Sequence, residues 1–279
     1  MALTVGEAKE IMRRLGPAEV KFAISICTPL YWVVRDQDGK PSTRNGTAFF
    51  LQTPKALFGV TAAHIIKGPK SWHAHCEEHG PTQLRLAGCN GTSIPLDWDA
   101  RAVDINLDLD IATFTVSQAE IASLGKIIYS GYPSEWPPSG PDKNKGVFYA
   151  GFPGISTRHQ SAQEVEFGAF GGSGIATGVN ERDILSQIER EHIKPAREDG
   201  IPPENFNFGG ISGGPMLYVV ETKSGLRCNS LAGVIHAGPN TSDDPNEAIP
   251  GFELFHARRA RFIRADGVLD HDLWESVQI

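Results

Sequence analysis

From Val20 onward the chain alternates short apolar runs with turn-forming residues. The runs at 22–27, 30–34, 48–51, 57–60, 84–86 and 110–116 have strand length and alternate with turn signals, the pattern of an all-β unit. A Pro-, Gly- and Ser-rich stretch at 130–141 continues neither a helix nor a central strand. Strand-like runs resume at 147–152, 165–169, 216–220 and 231–235. Three regions break the pattern. Residues 1–17 predict a short helix capped by Thr4 and ended by Gly16-Pro17. In 181–198, Ile184, Leu185, Ile188 and Ile193 fall near helical spacing among charges behind a capping Asn180, which predicts an inserted helix. Another helix is predicted over 253–265. The expected organisation is a helical lead (1–18), a first β unit (19–122), a linker (123–145), a second β unit (146–252) and a C-terminal helix and tail (253–279).

Composition narrows the functional classes. With 30 Gly and 19 Pro in 279 residues and no low-complexity tract, long bundles and coiled coils are excluded. A formal net charge of −7 argues against nucleic-acid binding through bulk charge. No apolar run approaches the ~18 residues of a membrane span, so no membrane partner is expected. The opening segment lacks the apolar stretch of a secretory signal, and Cys27, Cys76, Cys89 and Cys228 read as reduced, mostly buried thiols. A cytoplasmic location follows as the expectation.

Three segments carry chemistry. His64 follows Thr61-Ala62-Ala63 at a strand end, where small neighbours let bulky groups approach. Asp110 opens the run Ile111-Ala112-Thr113-Phe114; Asp108 shares its face by the period of two and is the alternative carboxylate. Ser212 sits in Phe208-Gly209-Gly210-Ile211-Ser212-Gly213-Gly214-Pro215, where glycines permit strained turns and leave backbone N–H groups free for an oxyanion. Singly, each has a plain reading: a surface histidine, a loop aspartate, a Gly-rich turn. Other features stand aside from this set. Ser173, in Gly171-Gly172-Ser173-Gly174, lacks the second following glycine and the proline. His73, His75, Cys76 and His79 carry metal-type ligands without a second cluster at zinc-finger spacing. Arg258, Arg259, Arg261 and Arg264 read as a solvated helix face.

In order, Thr61-Ala62-Ala63-His64, Asp110-Ile111-Ala112 and Gly210-Ile211-Ser212-Gly213-Gly214-Pro215 resemble the signature segments of chymotrypsin-like (trypsin-like) serine peptidases. The separations of 46 and 102 residues sit beside roughly 45 and 93 in that template. Gly46-Thr47-Ala48-Phe49 resembles the strand before the histidine, and Leu231-Ala232-Gly233-Val234-Ile235 the strand lining the specificity pocket. The resemblance, over about 20–263, implies two perpendicular six-stranded Greek-key β-barrels with the active site between them. It implies Ser212 as nucleophile, His64 as base, Asp110 as its orienting carboxylate, and the N–H groups of Gly210 and Ser212 as oxyanion hole. Phe206, Ile235, His236, Ala237 and Gly238 would line the substrate pocket. The implied substrate is a polypeptide; no cofactor and no metal are implied. An esterase-like hydrolase with the same triad, or a catalytically silent peptide-binding module, are the alternatives.

The departures bear on specificity. The paired cysteines that secreted members place around the histidine are missing. Phe206 stands six positions before Ser212, where trypsins carry an acidic residue, and His236 stands where the family has a small hydroxyl residue. A buried cationic side chain would find no partner at Phe206. A peptide-library cleavage profile is therefore expected to show little cleavage after Arg or Lys and a preference for medium or large apolar side chains. Dominant cleavage after Arg or Lys would overturn this pocket assignment, and dominant cleavage after Glu that is lost in His236→Ala would transfer the role to His236.

Overall fold

The computed structural model describes residues 5–35, 41–67, 83–89, 91–130, 136–159, 164–188, 206–221, 225–239 and 254–277. Helix α1 (Val5–Ile26) runs into β1 (Cys27–Arg35), which pairs along its whole length with β2 (Pro41–Gln52). Then come β3 (Leu57–Thr61), a helical turn α2 (63–67), β4 (Arg85–Ala87), β5 (Ser93–Pro95), α3 (Trp98–Arg101), β6 (Ala102–Asn106), β7 (Ile111–Thr115), α4 (Gln118–Ser123) and β8 (Tyr129–Ser130). These strands form one curled eight-stranded sheet in the order β5-β4-β1-β2-β3-β7-β6, with β8 in parallel beside the end of β2. The second half holds β9 (Gly146–Gly151), a separate hairpin of β10 (Thr157–His159) and β11 (Val165–Phe167), then β12 (Phe170–Val179), β13 (Asp183–Ile188), β14 (Pro215–Glu221), β15 (Arg227–Ala237) and β16 (Leu254–Arg259). Six of them close a barrel in the order β12-β13-β16-β15-β14-β9. A short helix α5 (His271–Ser276) follows.

Strand alternation sorts the apolar side chains into three clusters. In β2, Ala48 and Phe50 face the core of the first sheet with Leu30, Trp32 and Phe114, while Phe49 and Leu51 face the opposite way. In β9, Val147 and Tyr149 fill the barrel with Met216, Ile235 and Phe255; Phe148 and Ala150 point out of it. The outward set from both units, with Val20, Ala23 and Ile26 of α1, makes the cluster that joins them. Each large apolar side chain buried there contributes about 1.5–3 kcal/mol.

The mostly-β expectation holds, and most predicted strands appear within a few residues. Several local expectations do not. Residues 183–188 of the expected inserted helix are a barrel strand; Ile184, Ser186 and Ile188 are buried in alternation. Ile184 and Ile188 lie four apart, a spacing that serves both periods. The rest of that helix, residues 189–198, lies outside the described residues. The helix expected over 253–265 is instead β16, the strand that closes the barrel past residue 252, followed by a 3₁₀ turn at Ala260–Phe262. Helix α1 passes through Gly16-Pro17 to Ile26, so 22–26 is helix rather than strand. Burial of Val20, Ala23 and Ile26 against the barrel outweighs the roughly 3 kcal/mol cost of an internal proline. Gly16 is there for close approach: a Cβ would lie 3.1 Å from Ser173 Oγ. Thr4 lies outside the described residues. The linker span 123–145 contains β8, which ties it to the first sheet. Of the three described cysteines, all free, Cys27 is buried and Cys89 exposed, with Cys228 between.

One ion pair fastens the barrel's closing strand. Arg258 Nη1 on β16 donates to Asp183 Oδ1 on β13 at 2.7 Å, and the arginine side chain is 8% exposed. Burial pushes the Asp183 carboxyl up, but His236 and the Arg258 charge outweigh it and hold it below the usual aspartate value. A depressed folded-state value means stability that is complete above the unfolded value near 3.9 and is lost as pH falls through the folded one. In denaturant titrations at different pH, Asp183→Asn is expected to cost about 3 kcal/mol at neutral pH, because Arg258 is left buried without a counter-charge, and to flatten the acid-side fall in stability. An unchanged acid slope would exclude Asp183 as its source.

Candidate active site

The end of β3 delivers His64 into the first turn of α2, exposed at the protein surface. Asp110 meets it from the turn between β6 and β7. Its Oδ2 lies 2.8 Å from His64 Nδ1, and its Oδ1 accepts the His64 backbone N–H at 2.9 Å. A carboxylate only accepts, so Nδ1 carries the proton and Nε2 is left as the acceptor that a general base needs.

Asp110 is not on a strand face, as the alternation predicted. It occupies the left-handed region at φ 57° in the turn 107–110. The Asn106 side chain builds that turn by accepting from the N–H groups of Asp108 and Leu109 at 3.0 and 2.8 Å. Asn is a common turn initiator for this reason, a signal the alternation reading passed over. Asp108 is exposed in the turn, and it is Asp110 that pairs with the histidine. Leu109 is buried, whereas Leu107 in the same turn is 52% exposed.

Ser212 is 5% exposed and lies in the loop 207–214 before β14. Its hydroxyl donates to the His236 carbonyl at 3.4 Å rather than to His64. The loop's N–H groups divide cleanly. Gly209 donates to Asn207 Oδ1, Ile211 to Phe208 O, Gly213 to Ile235 O and Gly214 to Ile211 O. Among the described residues, the N–H groups of Gly210 and Ser212 have no protein acceptor. Their peptide planes are held from the other side. The Gly209 carbonyl accepts from Gly154 N at 2.6 Å and the Ile211 carbonyl from Gly214 N at 3.0 Å. Across a trans peptide C=O and N–H point opposite ways, so each tether turns the partner N–H outward. This leaves two oriented backbone donors, the pair the sequence singled out for an oxyanion.

Two residues of β2 lock this loop to the first sheet. Thr47 donates its N–H to Ser212 O at 2.8 Å and its hydroxyl to Gly210 O at 2.8 Å, and its Oγ1 accepts from Phe152 N at 2.9 Å. Buried Asn45 donates to Phe152 O at 2.6 Å and contacts Thr157 Oγ1 of β10. Gly213, at φ +87°, closes the seam: a Cβ there would fall 2.0 Å from Thr47 O and 2.9 Å from Ala62 N. Sequence reasoning placed Thr47 on the strand before the histidine but missed its clamping role, since its partners lie more than a hundred residues away.

The expected pocket residues are divided. Phe206 is half-buried against Phe170 and Phe208. Ile235 points into the barrel core and contributes only backbone bonds to the loop. The His236 ring lies 3.5 Å from Asp183 and at 6.1 Å from the His256 ring, while its carbonyl holds Ser212. Burial, followed by the neighbouring His236, depresses the pKa of His256. Ala237 ends β15, and a Cβ on Gly238 would meet Phe255 at 3.0 Å. Ser173 is buried mid-strand beneath α1, away from this constellation. His73, His75, Cys76 and His79 lie outside the described residues. The basic run is not a helix face: Arg258 is buried, Arg259 reaches Asn180 O and Ser139 O, and Arg261 pairs with Glu181.

No protein-family model and no curated protein matches the chain. Among solved structures, one reported as "Aromatic interactions drive the coupled folding and binding of the intrinsically disordered Sesbania mosaic virus VPg protein" is similar over 86% of this chain and 94% of its own, at 14% identity and a TM-score of 0.38. Similarity at that level fixes neither the fold nor the chemistry.

The clamp has a measurable consequence. Thr47→Val keeps the shape but strands the half-buried Gly210 carbonyl and the buried Phe152 N–H, the latter costing about 1–3 kcal/mol. Denaturant unfolding of Thr47→Val is expected to show a loss of at least about 1 kcal/mol, with faster amide exchange in the loop 207–214. Wild-type stability and exchange in Thr47→Val would remove the clamp.

Proposed function

We propose that the chain is a serine-type endopeptidase of chymotrypsin-like architecture, with the curled eight-stranded sheet standing for one Greek-key barrel and the closed six-stranded barrel perpendicular to it as the other, acting on a polypeptide in the cytoplasm without a cofactor. The observation that carries this reading is the doubly hydrogen-bonded Asp110–His64 pair beside a serine loop with two oriented N–H groups that have no acceptor among the described residues. Ser212 Oγ attacks the scissile carbonyl carbon and its proton passes to His64 Nε2. Asp110 keeps the imidazole in the Nδ1–H tautomer and stabilises the imidazolium. The oxyanion accepts from Gly210 and Ser212 N–H, an interaction stronger in the tetrahedral intermediate than with the planar carbonyl. The imidazolium then protonates the leaving amine, and water repeats the sequence on the acyl-enzyme.

The Ser212 hydroxyl is turned to the His236 carbonyl, which is the observation favouring a silent binding module. Catalytic hydrogen bonds of this kind are often loose before substrate arrives. A fluorophosphonate probe separates the two readings. It is expected to label the wild type and not Ser212→Ala, and His64→Ala should slow labelling strongly. On a cleaved peptide, Ser212→Ala should lower turnover by several orders of magnitude, on the order of 10⁶ by the subtilisin precedent, with the fold intact. Labelling that survives Ser212→Ala would end the assignment.

A further inference from the structure

Arg258 does more than pair with Asp183. Its Nε donates to the backbone carbonyl of Leu109 at 2.9 Å, while Nη1 holds Asp183 at 2.7 Å. Leu109 precedes Asp110, so the arginine reaches from the barrel's closing strand into the turn that presents the carboxylate to His64. That turn needs support, because Asp110 is a non-glycine residue at φ 57°. The guanidinium is itself fixed in place. It lies 4.6 Å from the centre of the Trp274 ring, which Arg182 also covers at 4.1 Å. Trp274 is buried on α5. A planar fork can serve two acceptors at a set angle, which an ammonium on a flexible stem cannot do.

We propose that Arg258 is a positioning residue for Asp110: its bond to the Leu109 carbonyl holds the carboxylate turn against His64. The role deepens the peptidase reading and rests on it. The rival account is that Arg258 only fastens β13 to β16. A positioning role predicts a loss in the chemical step; fastening alone predicts a loss of stability.

The test compares Arg258→Ala with Arg182→Ala in the full chain. Arg182→Ala removes one cation from Trp274 and leaves the Leu109 bond in place. Arg258→Ala is expected to lower kcat by roughly 10- to 100-fold, the scale of a misplacement of about 1 Å, with KM little changed and partial recovery in added guanidinium. Arg182→Ala should keep the wild-type kcat even where its Tm falls. If Arg258→Ala fails to fold, Arg258→Lys replaces it; the charge is kept, the fork is lost, and kcat should still fall. Wild-type kcat in the Arg258 variant, or an equal loss in Arg182→Ala at matched Tm, would overturn the proposal. A second readout stands apart from activity. The His64 Nδ1 proton, assigned by its absence in His64→Gln, should be seen by NMR in the wild type and in Arg182→Ala, and be lost or shifted upfield in the Arg258 variant. If the wild type cleaves nothing, the peptidase reading fails, and this proton alone decides: an unaltered signal in the Arg258 variant overturns the positioning role.

Discussion

Gly213 leaves no space for a side chain, and that contact sets the register between the two halves of the molecule. Its α-carbon presses the serine loop onto the end of β2 and the start of the histidine turn, where a Cβ would overlap Thr47 O and crowd Thr61 Oγ1 and Ala62 N. The other site distances follow from this close approach. Ala62 is two residues from His64, and Thr47 reaches both Ser212 O and Gly210 O. A loop held only by its own strand would move with the barrel; this one is bonded to both β units. The apolar cluster of Phe49, Leu51, Phe148 and Ala150 fills the seam behind it, so the polar contacts sit at the edge of a dry interface.

The parts of the site that were legible in the sequence are those written in contiguous residues. The glycines around Ser212 and the small residues before His64 declare a backbone requirement at the position where they stand. Asp110 does meet His64, though from a geometry the alternation did not describe; the turn that carries it is built by Asn106, whose side chain reads as a turn signal once alternation is set aside. Strands written as short apolar runs between turn signals, such as 30–34, were equally legible. Regions where two periods coincide were not: Ile184 and Ile188 fit a helix stripe and a strand face alike, and only pairing with β12 and β16 decides between them.

What stayed hidden depended on distant partners. Arg258 reads as surface charge until Asp183, 75 residues earlier, is brought beside it. Gly16-Pro17 reads as a helix stop until the barrel offers the helix a face to bury. Thr47 is an ordinary β-branched strand residue until the serine loop arrives from 163 positions downstream. In each instance a local preference worth a few kcal/mol at most is overruled by burial or by a polar group that has no other partner.

The late position of β16 has a consequence for how the chain is made. β13 pairs with β12 almost at once, since the two are joined by a short turn at 180–182. Its other edge pairs with residues 254–258, and about 65 residues separate the end of one strand from the start of the other. During synthesis that edge stands open while β14 and β15 emerge, a row of unpaired N–H and C=O groups that could template pairing with another chain. Asp183 lies at the start of the open edge, and until Arg258 appears its carboxylate is a charge there without its ion-pair partner. The residue that secures the finished barrel is thus also a charge on the edge of the unfinished one, a feature that disfavours edge-to-edge pairing.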